Sequence, residues 1–154
     1  MGGYLILSSD EWCDNLREQG GGKAVFWRKR KSFKAIEHGE YIYFMSRKRA
    51  FQSRCIVGRG ILKESISTNP VEAWDRFGKQ LGSSHKEAFI NTIKKLYGTE
   101  DLMIGCLVLD KVEFLDEPIS IHDFGIVYQN GTVSGKTLSE EECCRINDTF
   151  RKDE

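Results

Sequence analysis

The segment FWRKRKSF, residues 26–33, sets Phe26, Trp27 and Phe33 around four consecutive cations, Arg28, Lys29, Arg30 and Lys31. A solvated loop gains nothing from exposing an indole, and an apolar core does not hold four charges. One chemistry uses both types together: cations neutralise phosphates while aromatic rings stack on bases. On that reading Trp27 stacks on a base, and Arg28, Lys29 and Lys31 hold the backbone. Core packing is the plainer fate of a strand tryptophan. The basic run that follows at once argues for the rim of a pocket instead.

A second basic cluster, Arg47, Lys48 and Arg49, lies between Phe44 and Phe51. Ser46 precedes it, and its small hydroxyl either tests a base edge or satisfies a turn. Residues 23–63 hold twelve cations and two acids. The whole chain has 23 of each sign, so the remainder carries an equal acidic excess. A split of that size predicts a polyanion-facing surface on one side. The acidic remainder argues against a general DNA coat.

Other chemistries find little support. The three histidines, His38, His85 and His122, have no paired spacing that suits a metal. The five cysteines are odd in number and include no C-x-x-C, which disfavours a disulfide framework and a zinc site alike. Cys106 lies in an apolar run and reads as core, and the neighbours Cys143 and Cys144 point apart on a helix. The GKT at 135–137 lacks the upstream glycine of a phosphate loop. His122 and Asp123 have no nucleophile beside them and read as a surface turn. No cofactor and no metal are expected.

These residues need elements to carry them. With 154 residues, 40% hydrophobic and 30% charged, the chain is expected to form one domain over 1–154. No apolar run approaches a membrane span, and the start of the chain does not read as a signal peptide. A cytoplasmic protein with no membrane partner is expected. Apolar patterning predicts strands at 4–8, 23–27, 40–46, 54–64 and 101–116, with a further strand or extended segment at 119–129. Capping signals predict helices from Ser9 or Asp10 to about 18, over 70–81, from Ser84 to about 98, and from Ser139 to about 150. The order suits an α+β domain with a curved or barrel-like sheet. Trp74 and Phe77 are three apart and share a helix face, where core packing is the simpler reading.

Six short motifs follow in order: FWR (26–28), GEYIYFMS (39–46), IVGRGIL (56–62), AWDRFG (73–78), IGCLVL (104–109) and VSGKTLS (133–139). Together they resemble PUA-like domains of the EVE type, closest to the N-terminal reader domains of HNH-family restriction endonucleases. The resemblance covers about residues 24–138. It implies a twisted β-barrel flanked by helices, and a nucleic-acid reader that accommodates a modified base in an aromatic-lined pocket. It also implies roles for Trp27 and Arg28 after the second strand, for Phe44 and Ser46 at a strand end facing the pocket, and for Trp74 with Phe77 on a helix. The chain departs from the pattern at Ala24-Val25 and at Arg59 between two glycines, and no HNH nuclease follows.

The leading expectation is therefore a non-catalytic, DNA-binding reader of a flipped, modified base, of the restriction-modification kind. The basic clusters, including Arg47 and Lys48, would grip flanking phosphates. DNA is favoured over RNA, and a separate nuclease subunit is a candidate partner. Two alternatives remain open. One is a metal-independent nuclease of the related ASCH type, drawing on Lys23, Lys29, Tyr41 and Tyr43. The other is a protein-interaction module using the acidic half.

Overall fold

The structure is a computed structural model in which residues 2–29, 37–46, 54–126 and 135–152 are described. Strand β1 (Gly3–Leu7) leads into helix α1 (Asp10–Gln19), followed by β2 (Ala24–Arg28), β3 (Tyr41–Ser46) and β4 (Cys55–Thr68). Helix α2 (Pro70–Phe77) continues as a 3-10 turn, Gly78–Leu81, before α3 (Lys86–Tyr97). Then come β5 (Ile104–Ser120), a 3-10 turn at Ile121–Phe124, β6 (Gly135–Leu138) and α4 (Glu140–Lys152).

The helices begin where side chains can satisfy their free N–H groups. The Ser9 hydroxyl accepts from the Trp12 N–H at 3.1 Å, and the Asn69 amide oxygen from the Glu72 N–H at 2.9 Å. Ser139 and Glu142 form a reciprocal capping box, with bonds of 3.1 and 2.9 Å. The expected Ser84 cap is replaced by its neighbour: His85 Nδ1 accepts from the Ala88 N–H at 3.2 Å. The helix expected over 70–81 stops at Phe77 because Gly78, at φ 55, turns the backbone out of helical geometry.

The six strands form one mixed sheet in the order β2-β5-β4-β3-β1-β6. β1 runs parallel to β3, and the other neighbours are antiparallel. The sheet is not closed: β2 and β6 are its edges, so of the expected curved or barrel-like forms it is the open one. The pairing of β4 with β5 carries three register shifts, irregularities of the kind that bend and twist a strand. Those bulges let both strands run longer than expected. The segment expected as a strand at 119–129 instead ends β5 and turns through Ile121–Phe124, where the Ser120 hydroxyl accepts the His122 N–H at 3.3 Å. Residues 127–129 lie outside the described residues. Strand β6 was not anticipated; it pairs with β1.

Alternation in the strands divides the core by face. Ile6, Ala24, Phe26, Ile42 and Phe44 point to the side covered by Trp12, Cys13 and Leu16 of α1. Leu5, Tyr43 and Met45 point the other way, under Cys143, Ile146 and Phe150 of α4. Val25 and Cys106 meet Ala73, Phe89 and Ile93 of α2 and α3. Among the described residues, no helix is long and apolar enough to cross a membrane.

Candidate nucleic-acid interface

Three strand ends converge on the start of α1. The Ser8 N–H donates to the Met45 carbonyl at 3.0 Å, which joins the ends of β1 and β3. Ser46, only 3% exposed, donates its hydroxyl to Asp10 Oδ1 at 2.6 Å. Strand β2 is tied to the same helix by Trp12, whose Nε1–H donates to the Val25 carbonyl at 3.1 Å. The Trp12 ring stands edge-on to Phe26 and Phe44, at 5.6 and 5.0 Å between centroids. Each such pair adds about 0.5–1.5 kcal/mol beyond burial.

At this corner lies a cleft of about 300 Å³, walled by Trp12, Phe26 and Trp27 on one side and by Leu96 and Tyr97 of α3 on the other. Its far end is the turn at Leu81–Ser83. Gly82 is required there. It sits at φ +81, and a Cβ on it would lie 2.1 Å from the Trp12 ring. Asn15 Nδ2 donates to the Gly82 carbonyl at 2.8 Å, fixing α1 to the same turn.

Trp27 is half-buried. Its Nε1–H donates to the Leu81 carbonyl at 3.0 Å, and its ring meets Phe89 edge-on at 5.3 Å. The indole's one donor is thus used within the protein, so any contact it offers a ligand is through ring surface. Trp74 packs on the other side of Phe89 at 6.0 Å, in the layer behind the cleft rather than in its lining. Phe44 is fully buried. The pleat of β3 turns it inward against Trp12 and Phe114, so it supports the corner from the core and does not face an open pocket. Ser46 is likewise enclosed, holding Asp10.

The cations divide by setting. The Arg28 guanidinium lies 4.9 Å from the Phe26 ring centroid. The Lys29 ammonium lies 5.8 Å from that of Tyr97, whose hydroxyl accepts the Lys29 N–H at 3.3 Å. Both stand at the cleft mouth. Lys31, Arg47 and Lys48, with Arg30, Lys34 and Arg49, lie outside the described residues. Arg59 is different in kind. It is 8% exposed, donates from Nε to Glu113 at 2.6 Å and from Nη1 to Asn147 at 2.7 Å, and is held between Tyr41 and Phe150 at 4.8 and 4.4 Å. It is consumed in joining the sheet to α4 and is not available to a phosphate.

The four residues a metal-free nuclease would need are not gathered. Tyr41 and Tyr43 stack together under α4, and Tyr43, its hydroxyl donating to Asn147 at 2.8 Å, has its ionisation pushed up by burial. Lys29 is at the cleft mouth, and Lys23 precedes the opposite end of β2. Burial pushes the Cys13 and Cys106 thiols up to about 12, which keeps them protonated and unreactive. Among the described residues, no group of three His, Cys, Asp or Glu could hold a metal ion.

Part of the first wall and the whole of the second were missed by sequence reasoning. Trp12, Leu96 and Tyr97 sit in amphipathic helices, and only the tertiary placement of α1 and α3 brings them to Trp27. The one available signal was the Tyr97 ring near the end of a helix that otherwise closes on cations, Lys94 and Lys95.

No protein-family model matches the sequence, and no curated protein matches it significantly. The fold does have relatives among solved structures. The ASCH protein from Zymomonas mobilis superposes with a TM-score of 0.66 at 18% identity, covering 94% of this chain and 93% of that one. The N-terminal domain of Staphylothermus marinus McrB gives 0.64 at 10% identity, covering 94% and 92%. Human THYN1, in complex with 5-methylcytosine containing DNA, gives 0.54 at 11% identity, covering 97% of each chain. The chain thus has the PUA-like fold that its motifs led one to expect.

Proposed function

We propose that this domain binds DNA at the β1–β2–β3 corner and accepts an extruded, modified base in the aromatic cleft. The observation that carries the reading is the cleft itself. Its volume, about 300 Å³, lies at the lower bound of ligand sites, and its lining sets four aromatic side chains, Trp12, Phe26, Trp27 and Tyr97, among leucines and small polar residues, with one acid, Glu11. It opens where Arg28 and Lys29 stand on the rims of those rings. The sequence continuing from Lys29 carries three more cations within five residues, a reach of at most about 18 Å. The DNA-bound state of THYN1, which shares the fold, supports the choice of ligand. Trp27 supplies ring surface to the base, while the cations hold phosphates without regard to sequence.

The test is affinity of the full chain for matched oligonucleotides with 5-methylcytosine or cytosine, measured across salt concentrations. If four cations meet phosphates of a duplex, log K falls against log salt with a slope of about −3.6. Trp27→Ala is expected to remove the preference for the modified base and keep the salt-dependent background. Thermal melting checks that this variant is folded, since Trp27 also touches Leu81 and Phe89. Salt-independent binding, or a folded Trp27→Ala that keeps its preference, would show the reading to be wrong.

A further inference from the structure

Three large apolar side chains are exposed among the described residues: Val71, Leu96 and Met103. Val71 and Met103 lie near the Thr68–Ile104 end of the β4–β5 pair, and neither lines the cleft. Leu96 is the most exposed, at 60%, and it forms the lip of the cleft. Single exposed apolar residues are ordinary on protein surfaces. Leu96 is set apart by continuity: it extends the apolar lining of Trp27 and Tyr97 out of the cleft into solvent. It is also flanked by charge. Lys95 precedes it, and on Tyr97, which follows it, rests the Lys29 ammonium.

An apolar side chain projecting beside a base-sized cleft, with cations on either side, has the arrangement of a wedge. A base drawn out of a duplex leaves a gap in the stack, next to the pocket that receives it. Apolar side chains inserted at base steps offset part of the unstacking cost, which is a few kcal/mol per step. Resting on the reading above, we infer that Leu96 is the wedge of this domain: it enters the stack that the extruded base leaves. The inference makes duplex DNA, not only an unpaired strand, a substrate of the cleft. It also gives α3 a role that the β-strand residues cannot fill.

A wedge matters only when there is a stack to enter, and this separates it from general apolar contact. The experiment compares affinity for a duplex with one central 5-methylcytosine against affinity for the methylated strand alone. Wild type, Leu96→Asn and Leu96→Met are measured. Because Leu96 also lines the cleft, both affinities fall in Leu96→Asn, but duplex binding is expected to weaken about ten-fold more than single-strand binding, a modest share of the cost of unstacking a step. Leu96→Met, which keeps a flexible apolar tip, should retain the wild-type ratio. Because the side chain is exposed, neither change threatens the fold. Equal effects on duplex and single strand, or no effect on either, overturn the wedge while leaving the cleft intact. A wild type that shows no preference for the methylated single strand over a plain one overturns the cleft reading, and the wedge with it.

Discussion

Of the places where this molecule puts a cation against an aromatic ring, the corners at Arg59 and at the end of β2 do opposite things with it. At Arg59 the guanidinium is enclosed between Tyr41 and Phe150, and Glu113 and Asn147 take its donors. At the end of β2, Arg28 and Lys29 lie on Phe26 and Tyr97 at the mouth of an open cleft. Both corners come from the same basic stretch of sequence. The difference lies in what closes the site. Helix α4 lies over the first corner and brings both Asn147 and Phe150 to it. The second is lined by residues of α1 and α3 with the Leu81–Ser83 turn between them, and α4 contributes nothing to its lining. Basic-plus-aromatic composition therefore marks two physical situations, an internal clamp and an external grip. Burial tells them apart.

The comparison can be broken most severely at Gly82, which sets the spacing of the open corner. Gly82→Ala combines a left-handed backbone, about 1–2 kcal/mol, with a clash that must displace Trp12, about 1–3 kcal/mol. A loss of about 3–4 kcal/mol in denaturant unfolding is expected, with altered tryptophan fluorescence in the folded fraction. A neutral substitution would mean that Trp12 does not lie where the cleft requires it. Next comes Arg59→Ala, which should cost about 2–3 kcal/mol by emptying the space between Tyr41 and Phe150 and leaving the half-exposed Glu113 without its partner, while Asn147 keeps its bond from Tyr43. The salt slope of nucleic-acid binding by the folded variant should not change. A shallower slope would move Arg59 from clamp to grip. The smallest effect is at Lys29. Lys29→Ala should leave stability within about 0.5 kcal/mol, weaken all sequences alike, and reduce the salt slope by about 0.9. An unchanged slope would take Lys29 off the phosphate path.

How far such features can be read from sequence depends on how local their physics is. The caps at Ser9, Asn69 and Ser139 were legible because each is a bond between residues three apart. The strands up to β5 were legible from their apolar runs, though β4 and β5 exceed their predicted ends because bulges carry the pairing past Gly58 and Gly60. Strand β6 was not legible: GKTL has neither alternation nor a run of branched residues, and it is a strand only because β1 offers an edge. The same rule governs the site. Trp27 with Arg28 and Lys29 announced itself by composition. The opposing wall of Leu96 and Tyr97, the inward turn of Phe44 and the enclosure of Arg59 depend on contacts that span roughly 30 to 90 positions.

The parallel pairing of β1 with β3 bears on how the chain is made. β1 sits between β3 and β6, so its two hydrogen-bonding edges await segments that leave the ribosome some 40 and 130 residues later. Until then a five-residue apolar strand has no sheet to join, and closing such distant pairs is slow and leaves edges exposed. Once β3 has emerged β1 can pair on one side, but its other edge stays open until β6 appears just ahead of α4. Completion of the sheet at its β6 edge is therefore a late event of synthesis, coming after every strand that meets at the cleft.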